Sequence, residues 1–396
     1  MTADGREALP GTLAALERGI AQGVYPGAQL YVSRRGAPVA SFAVGAAGEG
    51  RPMTPDVLQP WLCCSKIALT VAFGLLWRRG LVEPGTRVAD VVPEFDRGGK
   101  GELTFRHLLS HTAGLMPDPA YAAFGQGRAA MLRVVCEAEL RPGVTPGELA
   151  YYSTLSAFFL VAEAIERLDG RPARRFVDEE VFALRGVRDT FHGLDPAAYA
   201  ANEARLGTLH CHSTERGGLV PHPQLSRPEH FDRYQPGLDA IGPARDLGRV
   251  VEALLPDTTP QVLRPETSAA LTARSRSGLY DVHFGSYIGW GLGLIVDGWA
   301  FGSFCSPDTF GHAGMRTSFA LADPEHGLVV AAIANAMTPT PQAAIARDLR
   351  LVDAVYRDLG LDTRRAPPPR QPQPTPDELP EWAALAELED RLWEID

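Results

Sequence analysis

The stretch Trp61-Leu62-Cys63-Cys64-Ser65-Lys66 sets a thiol three residues ahead of an amine, at the head of an apolar run. That run, Ile67-Ala68-Leu69-Thr70-Val71-Ala72-Phe73-Gly74-Leu75-Leu76-Trp77, has the length and composition of a buried helix. Residues three apart share a helical face, so the Cys63 sulfur and the Lys66 amine can meet. The start of such a helix adds unpaired N–H groups and positive partial charge. A cysteine placed there beside a cation is where a reactive thiolate is expected. The pattern is that of a nucleophile with its base. The competing reading is a small core cysteine next to a solvated lysine. Composition weighs against it, because of 38 basic side chains only Lys66 and Lys100 are lysine. Arginine stays protonated, whereas a desolvated lysine can take a proton.

Bulk properties narrow the class of protein. With 396 residues and 45% apolar content, the chain can bury a large core in one large domain or two subdomains. A net charge of -10 and the lack of any basic cluster argue against a nucleic-acid surface. Met1 to Glu7 lacks the charged and apolar regions of an export signal, and no apolar run reaches membrane-spanning length. A cytoplasmic protein with no membrane partner is expected. The five scattered cysteines, Cys63, Cys64, Cys136, Cys211 and Cys305, fit reduced thiols. His210-Cys211-His212 invites a metal reading, but neighbours on a strand point to opposite faces and no second Cys/His cluster stands at zinc-site spacing. No metal or other cofactor is called for.

The elements that must position the Cys63–Lys66 pair follow from periodicity and turn signals. A helix is expected over 11–23, then a hairpin of 27–33 and 38–44 about Arg34-Arg35-Gly36. The buried helix occupies 66–79, and further helices 126–139 and 154–168, the latter ending at Gly170. Strand signals return at 288–296, 317–322 and 327–333, before a closing helix at 340–359. The fold class is therefore α/β (α+β): an antiparallel sheet built from both chain ends, flanked by helices, with an inserted, mostly helical subdomain. The main domain spans 1–362, its sheet part about 1–60 and 285–362 and its helical part about 61–284. Residues 363–374 read as a polyproline-like linker, and 381–393 as a short acidic amphipathic helix. Its Trp382, Leu385, Leu388 and Trp393 either pack back on the body or dock on a partner.

Four segments carry a resemblance. Leu58 to Phe95, with its nucleophile-x-x-Lys pattern, is similar to the nucleophile helix of the serine β-lactamase and penicillin-binding family. Leu103-Thr104-Phe105-Arg106-His107-Leu108-Leu109-Ser110-His111-Thr112-Ala113-Gly114-Leu115 resembles the LTxRHLLxHTSGL run of that family's class C β-lactamase-like esterase and transacylase branch. Pro146 to Thr154 resembles its PGxxxxYSN segment, and Gly311-His312-Ala313-Gly314 its third motif in the His-x-Gly form. The resemblance covers about 10–358 and implies a β-lactamase/transpeptidase-like fold. Two positions depart from the family: Cys63 stands where it has serine, and Thr154 where it has the asparagine of Tyr-x-Asn.

Carried over residue by residue, the resemblance implies a thioester acyl-enzyme on Cys63. Lys66 would take the thiol proton or hold the thiolate by charge, and Tyr152 would pass protons to the leaving group and from the incoming nucleophile. The N–H groups of Cys63 and Met315 would form the oxyanion hole. His312 would stand near the Tyr152 hydroxyl, and Gly314 would let the backbone approach the substrate. Thr154 borders the same site, and Arg316 either pairs with a substrate carboxylate or is solvated. His107 and His111 fall in a structural helix and turn.

Trp61, Phe231, Tyr234 and Trp290 either line an acyl pocket or pack in the core, and 209–242 is expected to rim the pocket. A thioester stays activated toward amines and thiols, so the expected function is acyl transfer in small-molecule (secondary) metabolism. Its partners would be a small-molecule acyl donor, carrier-bound and thioester donors included, and an acyl acceptor. The alternatives are an ester or amide hydrolase of the same fold and an inactive binding protein.

Overall fold

The computed structural model describes residues 4–213, 215–256, 258, 260–366, 371, 372 and 374. Its main sheet has seven antiparallel strands: β1 (Gly27–Arg34), β2 (Ala37–Gly48), β3 (Arg51–Pro52), β4 (Ile295–Val296), β5 (Phe310–Gly314), β6 (Ser318–Asp323) and β7 (Leu328–Ala334). Their spatial order is β4-β5-β6-β7-β1-β2-β3, so the two ends of the chain meet where β1 pairs with β7, Ala28 opposite Ala334. Every residue of β7 is buried, as its unbroken Leu-Val-Val-Ala-Ala-Ile-Ala sequence requires of a central strand. The expected hairpin forms, and its Arg35-Gly36 turn has φ of 51° and 75°. Such a turn matches strand twist, and the glycine adopts it without a steric penalty.

Helices cover both faces. Even-numbered β1 side chains such as Ala28 share one face with Leu16 and Leu351 of α1 (Pro10–Ala21) and α6 (Pro341–Asp358). These terminal helices are tied together by Asp358, which accepts N–H bonds from Gly11 (3.0 Å) and Thr12 (2.8 Å) in the first turn of α1. On the other face, Gln29, Tyr31 and Ser33 bond to Ala244 and Glu252 of α5 (Ala244–Glu252). Of the other long helices, α2 (Lys66–Arg78) packs on α4 (Ser156–Asp169), and α3 (Arg128–Glu137) lies between them in the chain. The α4 helix ends at Gly170 with φ 83°, the left-handed cap the sequence signals.

One strand expectation is shortened. Of 288–296 only Ile295–Val296 joins the main sheet. The glycines explain this: a Cβ at Gly289 would sit 2.5 Å from the Val296 carbonyl, and one at Gly291 2.5 Å from that of Leu271. Gly293 has φ 82°, and the Gly291 N–H donates to the Leu294 carbonyl at 2.9 Å. The segment therefore turns back on itself and bridges Trp290 to Arg276. Residues 361–366, 371, 372 and 374 carry no regular secondary structure, and the helix expected over 381–393 lies outside the described residues. No described helix is long and apolar enough to cross a membrane.

The sheet–α5 contact is held by a buried carboxylate. Glu252 accepts from Tyr31 Oη at 2.9 Å, from Ser33 Oγ, and from Arg185 Nη2 at 2.6 Å. Removing it would leave the buried Arg185 charge without a counter-ion. Glu252→Ala is expected to lower unfolding stability by about 3–5 kcal/mol, read from the urea midpoint; a loss under about 1 kcal/mol would contradict this role.

Candidate active site

A tight turn, Leu62–Ser65, delivers Cys63 to the head of α2, with Leu62 at φ 50°. Both lysines of the chain are buried, yet differently served. Lys100 Nζ is caged by three carbonyls, those of Arg97 (2.8 Å), Cys136 (3.1 Å) and Ala138. Among the described residues Gly237 supplies the one carbonyl bonded by Lys66 Nζ, at 3.3 Å, and the amine otherwise faces the Cys63 sulfur. Burial pushes the Lys66 ammonium below the ordinary lysine range, while the Cys63 sulfur and Asp118 carboxylate partly restore it. The neutral amine, the form that can take a proton, is thereby favoured. Gly237 stands at φ 90°, and a Cβ there would come within 2.9 Å of Phe158 Cβ and 3.2 Å of Lys66 Cγ. Only glycine brings that carbonyl so close.

Tyr152 closes the other side. Its phenol is pushed well above the usual tyrosine range, first by burial and then by the neighbouring Cys63. Among the described residues its hydroxyl has no hydrogen-bonded oxygen or nitrogen partner, so Cys63 is the group that acts on it. Lys66 Nζ lies 5.4 Å from the Tyr152 ring centre. The stretch Ser153–Ser156 is gathered by Asp118, which accepts from Ser153 Oγ (2.7 Å), Leu155 N (2.9 Å) and Ser156 N (3.0 Å). Thr154, 2% exposed, is buried in this stretch.

Rings crowd around the phenol: His111 at 4.5 Å, Phe284 at 4.9 Å, Trp290 at 5.6 Å and His312 at 5.9 Å. The two histidines hold opposite tautomers. Ser153 N–H donates to His111 Nδ1 at 3.1 Å, so the neutral ring carries its proton on Nε2. His312 Nδ1 lies 2.8 Å from the Ala313 carbonyl and must donate to it, leaving Nε2 as an acceptor. Burial and the Lys66 charge push His312 down to about 3, and burial followed by Arg276 holds His111 well below the histidine range. Both rings are neutral at pH 7, one offering a donor and one an acceptor.

The edge of β5 brings the third motif against the nucleophile turn. Ser318 Oγ donates to the Trp61 carbonyl at 2.8 Å, and Cys64 Sγ to that of His312 at 3.3 Å. Cys64 thus points away as a strap, its thiol pushed up to about 12 by burial. A Cβ on Gly314 would lie 2.4 Å from the Trp61 carbonyl and 3.4 Å from Cys63 N. Beyond it, Met315 and Arg316 have φ of 34° and 61°. Of the five described non-glycine residues at positive φ, Leu62, His111, Met315 and Arg316 adjoin this site, where strained backbone tends to collect. The Arg316 guanidinium turns to the Pro339 carbonyl at 3.1 Å rather than toward Cys63.

The beta-lactamase family pattern matches residues 13–354, most of the chain. The chain belongs to the beta-lactamase family. This beta-lactamase-family chain is 24% identical over 306 residues to a protein of Escherichia coli (strain K12) that bears the name of a D-alanyl-D-alanine carboxypeptidase. That match covers 68% of this chain and 66% of the relative, just under two thirds of its length. EstCE1, a hydrolase with promiscuous acyltransferase activity, superposes with TM-score 0.74 at 22% identity, over 89% of this chain and 99% of that one. Simvastatin synthase from Aspergillus terreus superposes with TM-score 0.72 at 17% identity, over 90% and 96%. The family and these neighbours handle acyl groups as hydrolases and acyltransferases, and the mixed sheet-and-helix fold is theirs.

Within this fold Cys63, Lys66, Tyr152, His312 and Gly314 converge, while Arg316 faces Pro339. Of the four aromatics singled out from sequence, only Trp290 joins the Tyr152 cluster. Trp61 packs on Phe182, Phe231 lies in a separate core with Leu58 and Ile241, and Tyr234 bonds Glu166. His107 caps its own helix by accepting from Thr104 N. His111, read as structural, stands against the Tyr152 ring, and Asp118 and Gly237 had no local signal at all. His210-Cys211-His212 lies on a strand, and the described residues hold no group of three or more His, Cys, Asp or Glu arranged for a metal ion.

The neutral histidines make stability pH-dependent. An unfolded chain protonates His312 near pH 6.5, the folded one only near 3, so the stabilisation is complete above 6.5 and is lost as pH falls through that window. Wild type should therefore lose about 2 kcal/mol more between pH 7 and pH 5 than His312→Gln, by urea denaturation at each pH. Parallel pH profiles would refute this.

Proposed function

We propose that the chain is a cysteine-nucleophile acyltransferase of small-molecule, secondary metabolism, working through a thioester on Cys63. The observation that carries this is the convergence on one sulfur of the two groups best suited to move its proton, Lys66 and Tyr152. In the first half-reaction the Cys63 proton passes to Lys66, and sulfur attacks the acyl carbon. The C–O or C–S bond to the leaving group breaks, and that group leaves with a proton delivered through Tyr152. In the second, the acceptor gives its proton to the Tyr152–Lys66 pair and attacks the thioester; sulfur leaves and recovers a proton. His312 Nε2, an acceptor beside Tyr152, orders this relay. The N–H groups of Cys63 and Met315 hold the oxyanion, next to Gly314, with Thr154 at the rim.

An uncharged acyl donor suits this site better than a peptide carboxylate, since Arg316 is engaged by Pro339 and both histidines are neutral. Cysteine in the serine position favours transfer because the thioester discriminates toward amines and thiols. Free, buried thiols at all five cysteines support a reducing, cytoplasmic setting. Catalysis is assigned to residues 1–362, with 363–396 as an appended tail.

The test uses p-nitrophenyl butyrate as donor and a primary amine as acceptor. Wild type should form an acyl adduct on Cys63 by intact-protein and peptide mass spectrometry, and Cys63→Ala should lose at least roughly 10³-fold in kcat. Undiminished turnover in Cys63→Ala would sink the proposal. Amide as the main product supports transfer; butyrate alone, whatever the acceptor concentration, would leave a hydrolase.

A further inference from the structure

Behind Tyr152 lies a buried ion pair whose hydrogen bonds go to none of the reacting side-chain atoms. Arg276 and Asp281 meet at 2.9 Å with side chains 2% and 0% exposed. Withdrawing two charges from water is costly, and many buried pairs add no net stability compared with well-packed apolar residues. What this pair holds is backbone. Arg276 Nη1 donates to the Ser110 (3.2 Å) and His111 (3.4 Å) carbonyls, and Nη2 to that of Ile288 (3.4 Å). Asp281 Oδ1 accepts the N–H of Tyr152 itself at 3.3 Å, together with those of His283 (3.1 Å) and Phe284 (3.3 Å).

These bonds close a loop around the phenol. Tyr151 N–H donates to the His111 carbonyl at 3.0 Å, and Ser153 N–H to His111 Nδ1 at 3.1 Å. The residues on either side of Tyr152 are therefore pinned to His111, Tyr152 to Asp281, and His111 to Arg276. The Arg276 guanidinium also lies 5.3 Å from the Trp290 ring centre, and the Asp281 turn brings Phe284 to within 4.9 Å of the Tyr152 ring. Cys63 and Lys66 sit on a different element, α2 and its leading turn. The ring of bonds fixes the Tyr152 half of the site.

We propose that the Arg276–Asp281 pair, with His111, is a positioning device for Tyr152: it sets where the phenol stands over Cys63 and so controls the step in which an acceptor takes the acyl group. This rests on the acyl-enzyme reading above. Attack by Cys63 draws on Lys66, whereas activation of the acceptor draws on Tyr152. The two half-reactions should therefore respond differently to damage here.

p-Nitrophenyl butyrate separates them, because p-nitrophenolate leaves without a proton. The Arg276→Met/Asp281→Leu double variant replaces both charges by apolar groups of similar size, so neither charge is left unpaired. The carbonyls and N–H groups the pair holds lose their partners, so the melting temperature should fall. The folded variant should still keep the burst of p-nitrophenolate of wild type while steady-state transfer to the amine falls roughly 100-fold. Steady-state transfer within about threefold of wild type overturns the proposal. So does loss of burst and turnover in the same proportion, the mark of a merely structural role.

If the double variant does not fold, Asp281→Asn and Asp281→Ala carry the test. Both leave Arg276 equally unpaired, but only asparagine keeps an acceptor for the Tyr152 N–H. Positioning predicts that asparagine restores at least roughly tenfold of the turnover that alanine loses, and equal losses overturn it. A Cys63→Ala variant with full turnover would instead defeat the acyl-enzyme reading itself, so the two failures are distinct.

Discussion

An amine without water is the constraint from which the rest of this site follows. Lys66 is fully buried at the first position of an apolar helix, with one carbonyl and one sulfur to satisfy it. Lys100 shows what a structural buried lysine looks like here, saturated by three carbonyls. Lys66 is left short, and a charge left short in a low-dielectric interior gives its proton away easily. Its need for any partner at all explains Gly237, the residue able to thread a carbonyl past Phe158. Next to burial, the Lys66 charge also works against a second cation at His312.

The same low dielectric makes the surroundings of Tyr152 demanding. Burial, and then Cys63 beside it, makes the phenol hold its proton. It can serve as a relay only if its place is fixed by something other than its own hydrogen bonds. The fold supplies this through backbone. Asp118 gathers the residues after Tyr152, Asp281 takes its N–H, and His111 brackets it on either side. Carboxylates and a guanidinium are spent on main-chain atoms, at a cost in desolvation, to hold one ring within 4.5–5.9 Å of its histidine and tryptophan neighbours. The sheet edge makes the matching contribution, Gly314 lying against the nucleophile turn at Trp61 and Cys63.

Much of this is legible in the sequence. The hairpin about Arg35-Gly36, the buried α2 and the closing α6 follow from turn chemistry and periodicity, which are local properties. The strand expected over 288–296 was cut to two residues because its three glycines serve close approaches to Val296, Leu271 and Thr70 that no local pattern encodes. His111 was read as part of a structural turn, and so it is, yet the ring of that turn lands on Tyr152. Asp118, Gly237, Arg276 and Asp281 gave no sign, because each acts on a residue 30 or more positions away.

The sequence by itself determined the chemistry on offer: a thiol three residues from a lysine at a helix head, a tyrosine, a Gly-His-x-Gly turn, and the order of elements that carry them. Those are matters of residue type and short spacing, fixed by covalent geometry and by the helical and strand repeats. Only the tertiary structure decided what state those groups are in. Burial lowered Lys66, raised Tyr152 and neutralised His111 and His312, and long-range hydrogen bonds chose opposite tautomers for the two rings. Protonation depends on the dielectric and on charges brought together from α2, β5 and the loops between, and that is a property of the folded chain alone.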